Sequence, residues 1–300
     1  MSVRGGIPFI LTTFIDNHLY KEIKMTQVPI HEVVREHYAE RARNADSCCG
    51  ADSTSACCDS KNVLYPEELI TTMPDDIANF SLGCGDPITL AALQPGQSVL
   101  DLGSGGGLDC FLAAKKVGES GHVIGVDMTP EMLEKARASA KRMGVTNVEF
   151  RHGFLEDLPV DDNSVDVVIS NCVINLSPDK TKVFNEVFRV LSSPDPRSGK
   201  PGGKLAVSDI VTDGPLPDAV KQSLSMWAGC VAGAVDAKDY IAMMENAGFT
   251  DISVTPTFFD KETVDEAIKE VGDQIDLNSV SQDELYKTVY SARITARKQN

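Results

Sequence analysis

The segment QSVLDLGSGGGLDCFLAAKKVG constrains this chain more than any other. An apolar, β-prone run leads directly into alternate glycines, Gly103, Gly105 and Gly107, and from them into an amphipathic helix. Glycines at such a junction let the backbone turn sharply and approach a ligand closely, with the helix N-terminus behind them. The alternation continues downstream through HVIGVDM, PEMLEKARASAKRMG, VEFRHG, DVVISNCV, TKVFNEVFRVLSS and GKLAVSDIV. Short apolar runs separated by amphipathic helices predict an α/β fold, a parallel sheet with helices on both faces. Right-handed crossovers then settle most of the topology. Residues 217–247 read as helical, FTDISVTPTFF as a strand, 261–286 as helical, and YSARITARKQ as a last strand in which apolar and polar residues alternate. Upstream, residues 27–45 carry apolar positions at helical spacing, PEELITTM predicts a shorter helix, and NFSLGCGDP a turn.

A glycine-rich turn alone is shared with dinucleotide dehydrogenases. Here the spacing is G-x-G-x-G, Asp101 stands two residues before the first glycine, and the second strand ends at Asp127, twenty residues beyond Gly107. A carboxylate there can accept both hydroxyls of a ribose. Together these features resemble the class I S-adenosylmethionine methyltransferases, from about residue 64 to the end. The resemblance implies a Rossmann-like, mostly parallel seven-stranded sheet with a reversed terminal strand. It also implies that Asp101, Gly103, Ser104, Gly105 and Gly107 face the methionine part of the cofactor. Asp127 and Met128 would hold the ribose and adenine side, Phe154 and Leu155 would lie near the adenine, and Asn171 would join the same site. From the residues alone, the alternative for Asp101 is a turn-capping carboxylate, and for Phe154 and Leu155 ordinary core packing.

The cysteines narrow the reading. Of eight, four form adjacent pairs, Cys48-Cys49 and Cys57-Cys58, in a Ser-, Asp- and Ala-rich stretch, and Cys84, Cys110, Cys172 and Cys230 are scattered. In an acidic, non-secreted enzyme this is not a disulfide framework. Cys172 ends the fourth strand, while glycines flank Cys84 and precede Cys230, leaving those thiols approachable. Cys110 sits beside Phe111 and Leu112 and reads as core. The set SLGCGDP, SNCVINL and GCVAGA resembles the arsenite S-adenosylmethionine methyltransferases, and the paired cysteines look like those of their short microbial members.

Trivalent arsenic is soft, prefers sulfur, and forms a pyramid on three thiolates with one lone pair exposed. The resemblance implies Cys84, Cys172 and Cys230 as its ligands, with Cys172 and Cys230 sufficient for a singly methylated arsenical. It further implies Cys48 or Cys49 as a redox partner, restored by a thiol reductant such as glutathione or thioredoxin. Other readings stay open: a quinone- or sterol-like organic acceptor, a non-catalytic thiol-rich arsenic-binding protein, a nicotinamide-dependent reductase, or zinc at the cysteine pairs. The five histidines, His31 and His37 among them, read as surface or capping residues.

A net charge of −16 and a pI near 4.7 argue against a nucleic-acid binder. No run approaches the roughly 20 apolar residues needed to cross a bilayer. RGGIPFILTTFI faintly imitates a signal peptide, but Asp16 follows it closely and no small-residue cleavage site appears. The expectation is a cytoplasmic monomer with residues 1–26 as an extension, 27–63 as a helix and Cys-rich loop, and 64–300 as the methyltransferase domain.

Overall fold

The computed structural model describes residues 30–44, 65–78, 85–216, 233–258 and 288–299. Seven strands form one sheet: β1 (Ser98–Leu102), β2 (His122–Asp127), β3 (Val148–His152), β4 (Val167–Asn171), β5 (Lys204–Thr212), β6 (Phe249–Thr257) and β7 (Val289–Lys298). Their order is β3-β2-β1-β4-β5-β7-β6. All pairs are parallel except those of β7, which runs antiparallel to both β5 and β6. This is the Rossmann-like α/β sheet with a reversed terminal strand expected from the sequence. The chain order reverses between β1 and β4, and in such sheets the crevice at the carboxyl ends of those strands takes the ligand.

Helices cover both faces. On one side lie α5 (Leu108–Val117) and α6 (Pro130–Met143), with Phe111, Leu112, Leu133 and Ala136 packed on Val99, Val123 and Ile169. On the other lie α7 (Lys180–Val190) and α8 (Ala237–Asn246), where Phe184, Val187, Tyr240 and Met244 pack on Leu100, Val126 and Leu205. Each helix repeats apolar residues every three or four positions, so one stripe faces the sheet. Gly144 in the left-handed conformation ends α6, and Asp179 starts α7 by accepting from Lys182 N.

The structure adds to the sequence reading before β1. The turn expected at NFSLGCGDP gives way, from Pro87 to Ala91, to a short helix, α4; Asp86 caps it by accepting from Thr89 N, and Pro87 opens it. The helix read at PEELITTM is shorter, α2 (Glu67–Ile70), and a second turn, α3 (Asp75–Ala78), follows. Of the helix read over 217–247, residues 233–236 are instead a turn and extended chain, Asp236 bridging Thr212 and capping α8, which begins only at Ala237; residues 217–232 and the 261–286 helix lie outside the described residues. The first helix, α1 (Ile30–Asn44), packs against α6 and a three-ten turn, Ile174–Leu176. Val34 anchors it, fully buried with Cys172, Leu176 and Ile210, a contact contributing on the order of 1.5–3 kcal/mol. No helix among the described residues is long and apolar enough to cross a membrane.

One polar cluster sits inside the core. Asp209 on β5 is fully buried; its carboxylate accepts from Ile210 N, Asn175 N and the hydroxyl of Tyr240 and faces the Lys180 ammonium. Burial pushes its carboxyl up from 3.8 to about 7, against the opposing pull of Lys180. The folded chain therefore holds a proton that the unfolded chain releases in that window, so the contribution of Asp209 to stability is full at low pH and is lost as pH rises toward 7. The melting temperature of the wild type is expected to fall between pH 5 and 7.5, with a shallower slope in Asp209→Asn. Parallel slopes would show that Asp209 does not titrate in this way.

Candidate active site

Four strand ends build one cleft of about 1140 Å³, counted out to its open mouth. Its floor is the turn after β1, where Gly103, Gly105 and Gly107 all have positive φ (62°, 50° and 93°). The three glycines are required for different reasons. A Cβ on Gly103 would stand 2.2 Å from Val173 Cγ2, and one on Gly107 would meet Phe150 and Phe111 at 2.9–3.0 Å. At Gly105 nothing lies within 4 Å, so the space above it opens to the cleft. Ser104, 7% exposed, lines the same wall, and its Oγ has no hydrogen-bond partner among the described residues.

Asp127, at the end of β2, lines the cleft with Met128. One of its oxygens accepts from Gly105 N at 2.9 Å and the other from Thr129 N at 2.8 Å, which fixes the carboxylate in place. Phe154 and Leu155 line the wall after β3. Phe154 is 40% exposed, with the His31 ring 5.2 Å away, so it is a surface of the cleft rather than core.

Asp101 is different. It is 2% exposed behind the glycine turn, does not line the cleft, and accepts from Cys110 Sγ at 3.2 Å. Cys110 is buried, as the sequence indicated, and its thiol is the donor that satisfies this carboxylate. Burial holds the Asp101 carboxyl well above the usual carboxylate range, and the like charges of Asp109 and Asp127 push it the same way. Burial also raises Asp127, although the backbone N–H groups of Thr129 and Gly105 work against that shift.

Asn171 ends β4, Cys172 follows it, and both line the cleft. Cys172 takes φ +59°, a left-handed conformation costing a non-glycine residue roughly 1–2 kcal/mol. Its N–H donates to Ser208 O at 2.7 Å, and the turn after it is tied to β5 by Asn175 Nδ2 donating to Ile210 O at 2.6 Å. Cys172 is disulfide-bonded. Cys84, Cys230, Cys48, Cys49, Cys57 and Cys58 all lie outside the described residues.

The described neighbour of Cys84 is informative. Gly85 N donates to Asn171 Oδ1 at 3.2 Å, and Asn171 Nδ2 returns a bond to Gly85 O at 2.9 Å. The same Nδ2 faces Tyr65 Oη at 2.9 Å and Asp109 Oδ2 at 3.3 Å, while Tyr65 Oη donates to Asp109 Oδ1 at 2.7 Å. Burial raises the Asp109 carboxyl to about 6, opposed by the Tyr65 and Asn171 hydrogen bonds.

Sequence reasoning missed several residues of this site. Asp109 was one position from the Cys110 it singled out, and Tyr65 lies far away in the chain. His31, read as a surface or capping residue, instead lines the cleft with Val34 and Tyr38; its Nε2 lies 3.1 Å from Glu156 Oε1, which Ser177 Oγ also contacts. The signal available for α1 was its apolar stripe, which shows that a face is covered but not by what.

Residues 93–248 match the methyltransferase domain family. The chain is 46% identical to an arsenite methyltransferase of Halobacterium salinarum over 75% of this chain and 58% of that protein. It is 40% identical to an arsenite methyltransferase of Aquipseudomonas alcaligenes over 74% of this chain and 62% of that one. Among solved structures, an arsenic(III) S-adenosylmethionine methyltransferase from Chlamydomonas reinhardtii superimposes with a TM-score of 0.59 at 34% identity, covering 78% of this chain and 72% of that one. The chain belongs to the methyltransferase domain family, in the branch that holds the arsenite methyltransferases. It spans about six tenths of the length of the curated relatives it matches.

Two glycine substitutions separate fold from cleft. Gly103→Ala is expected to destabilise by roughly 2 kcal/mol or more, from the Val173 clash and the positive φ together. Gly105→Ala meets no neighbour and is expected to cost about 1 kcal/mol from φ alone, while weakening ligand binding in the cleft at least tenfold. Denaturant melts and ligand titration check both; equal stability losses would contradict the assignment.

Proposed function

We propose that this chain transfers a methyl group from S-adenosylmethionine to trivalent arsenic held by Cys84, Cys172 and Cys230. The cleft fits the donor. The Asp127 carboxylate, preset by two backbone N–H groups, has lone pairs left for the two ribose hydroxyls. The open space over Gly105 and the unpartnered Ser104 Oγ leave room and a polar contact for the methionine part. Phe154 and Leu155 offer an apolar wall to the adenine, with Met128 beside them. When bound, the donor supplies an electrophilic sulfonium methyl.

The observation that carries the acceptor reading is the grip of Asn171 on Gly85. It ties the chain position beside Cys84 to the chain position beside Cys172, at the edge of the donor cleft. Thiolates at these positions would hold arsenic with its lone pair toward the cleft. That lone pair carries no proton, so no general base is needed, and the chain contributes by holding the two reactants in register. The lone pair becomes the C–As bond while the electrons of the broken C–S bond remain on the donor's sulfur, and arsenic rises formally from III to V. Two thiols closing to a disulfide return two electrons and restore arsenic(III). Cys48 or Cys49 is the proposed partner in that step, and glutathione or a thioredoxin reopens the disulfide. Because Cys172 is itself disulfide-bonded, reduction must also precede arsenic binding, which suits a reducing compartment such as the cytoplasm.

The test is adenosylhomocysteine release by reduced protein given S-adenosylmethionine, arsenite and excess thiol. Turnover is expected to require both arsenite and thiol and to fall by about two orders of magnitude or more in Cys172→Ser, the scale of a misplaced reactant. Release that ignores arsenite and continues in Cys172→Ser would return the chain to the organic-acceptor reading. Arsenite binding without release would make it an arsenic-binding protein.

A further inference from the structure

We infer that Asn175, with Asp209 as its counterpart on β5, is the positioning residue that lets β4 break off at Cys172 and holds that cysteine at the cleft. The inference rests on the arsenic reading above and names what that reading leaves open, the group that fixes the cysteine backbone.

The parallel ladder between β4 and β5 ends at the pair Asn171 and Ser208, yet β5 runs on to Thr212. Cys172 N–H still donates to Ser208 O, and there the chain turns off with φ +59°. The next residue of β5 to face β4 is two positions further on, Ile210, whose N–H and C=O would bond to a continuing strand. Ile210 is 7% exposed, so neither group can rely on water. Side chains meet both instead. The Asp209 carboxylate accepts Ile210 N–H at 3.0 Å, and Asn175 Nδ2 donates to Ile210 O at 2.6 Å. The two residues also hold each other, because the Asp209 carboxylate accepts Asn175 N–H. Lys180 Nζ donates to Asn175 O and Ser177 O, which fixes the far side of the same turn.

Asn175 serves here as a donor. It is fully buried, and its Oδ1 has no hydrogen-bond partner among the described residues, so the amide offsets its desolvation through Nδ2. The flipped amide would set Oδ1 against Ile210 O, two acceptors with no proton between them. Asn175 does not line the cleft, whereas Cys172, Val173, Leu176 and Ser177 around it do. It therefore acts on the cleft through the backbone it holds. Without that donor the buried Ile210 carbonyl is orphaned, and it is relieved when the turn lifts from β5 to admit water. That movement takes Cys172 out of its strained left-handed conformation and away from its place on the wall.

Asn175→Leu keeps the size of the side chain and removes the donor. In phosphine-reduced protein, arsenite affinity measured by equilibrium dialysis is expected to weaken about tenfold, the scale of leaving one buried carbonyl unpaired. S-adenosylmethionine affinity measured by calorimetry should stay within about twofold, since Asn175 does not line the cleft. A general loss of stability would not produce that split. Val117→Ala, fully buried at the far end of α5, is the control: it lowers the melting temperature and should leave arsenite affinity unchanged. If Asn175→Leu does not fold, Asn175→Ala, which leaves space for a water beside Ile210 O, should give the same split with about a fivefold loss. The inference is overturned if the folded variant binds arsenite as the wild type does, loses both ligands together, or loses no more than Val117→Ala. If the wild type binds arsenite through Cys172 and only the Asn175 result fails, the arsenic reading stands without this role; if the wild type does not bind arsenite, both fall.

Discussion

The contact between Gly103 and Val173 holds the rest of the site together. The absence of a side chain at Gly103 lets the turn after β1 and the turn after β4 close on each other at the point where strand order reverses. One turn carries the glycine cradle and the other carries Cys172, so the two share a wall of the cleft. Rossmann-like sheets place ligands at this reversal because neighbouring connections there leave to opposite faces. In this chain the same reversal also sets the left-handed Cys172, which β5 holds through Ser208 and the Asn175 turn.

Buried acidic groups gather around that wall. Asp101, Asp109 and Asp127 cluster near the carboxyl ends of the first two strands, and burial raises the carboxyl of each. Hydrogen bonds work against burial at every one: Cys110 at Asp101, Tyr65 and Asn171 at Asp109, and Gly105 and Thr129 at Asp127. Asp109 and Asp127 line the cleft, with Asp101 behind it, and carboxylates so placed favour a cationic ligand over a neutral one. For a sulfonium donor and its neutral thioether product, such a wall favours the substrate and eases release afterwards.

Asn171 joins two scales of structure. Its backbone ends a core strand, and its side chain fastens a segment that precedes the sheet in the chain. α1 closes the site from another direction, with Val34 buried on Cys172 and His31 beside Glu156. Neither contact belongs to the sheet, yet both bear on Cys172.

Much of this was legible in the chain as written. The alternation of short apolar runs with amphipathic helices specifies strands and helices locally, and the G-x-G-x-G turn with Asp127 after the next strand marks the cleft. Those signals are local because they depend on backbone periodicity and on φ values that only glycine takes easily. Asp101 could be read only as acidic and near the turn; that it lies behind the turn, bonded to Cys110, depends on how α5 packs on β1. The exposure of Phe154 was equally undecided, since an aromatic residue after a strand can face core or cleft. Asp109, Tyr65, Asn171 and Gly85 come from four separate parts of the chain, and no spacing rule joins them. Sequence by itself determined the sheet, the glycine cradle and the carboxylate at the end of the second strand, whereas only the tertiary structure decided which distant polar groups meet, because hydrogen-bond partners of buried side chains are chosen by packing.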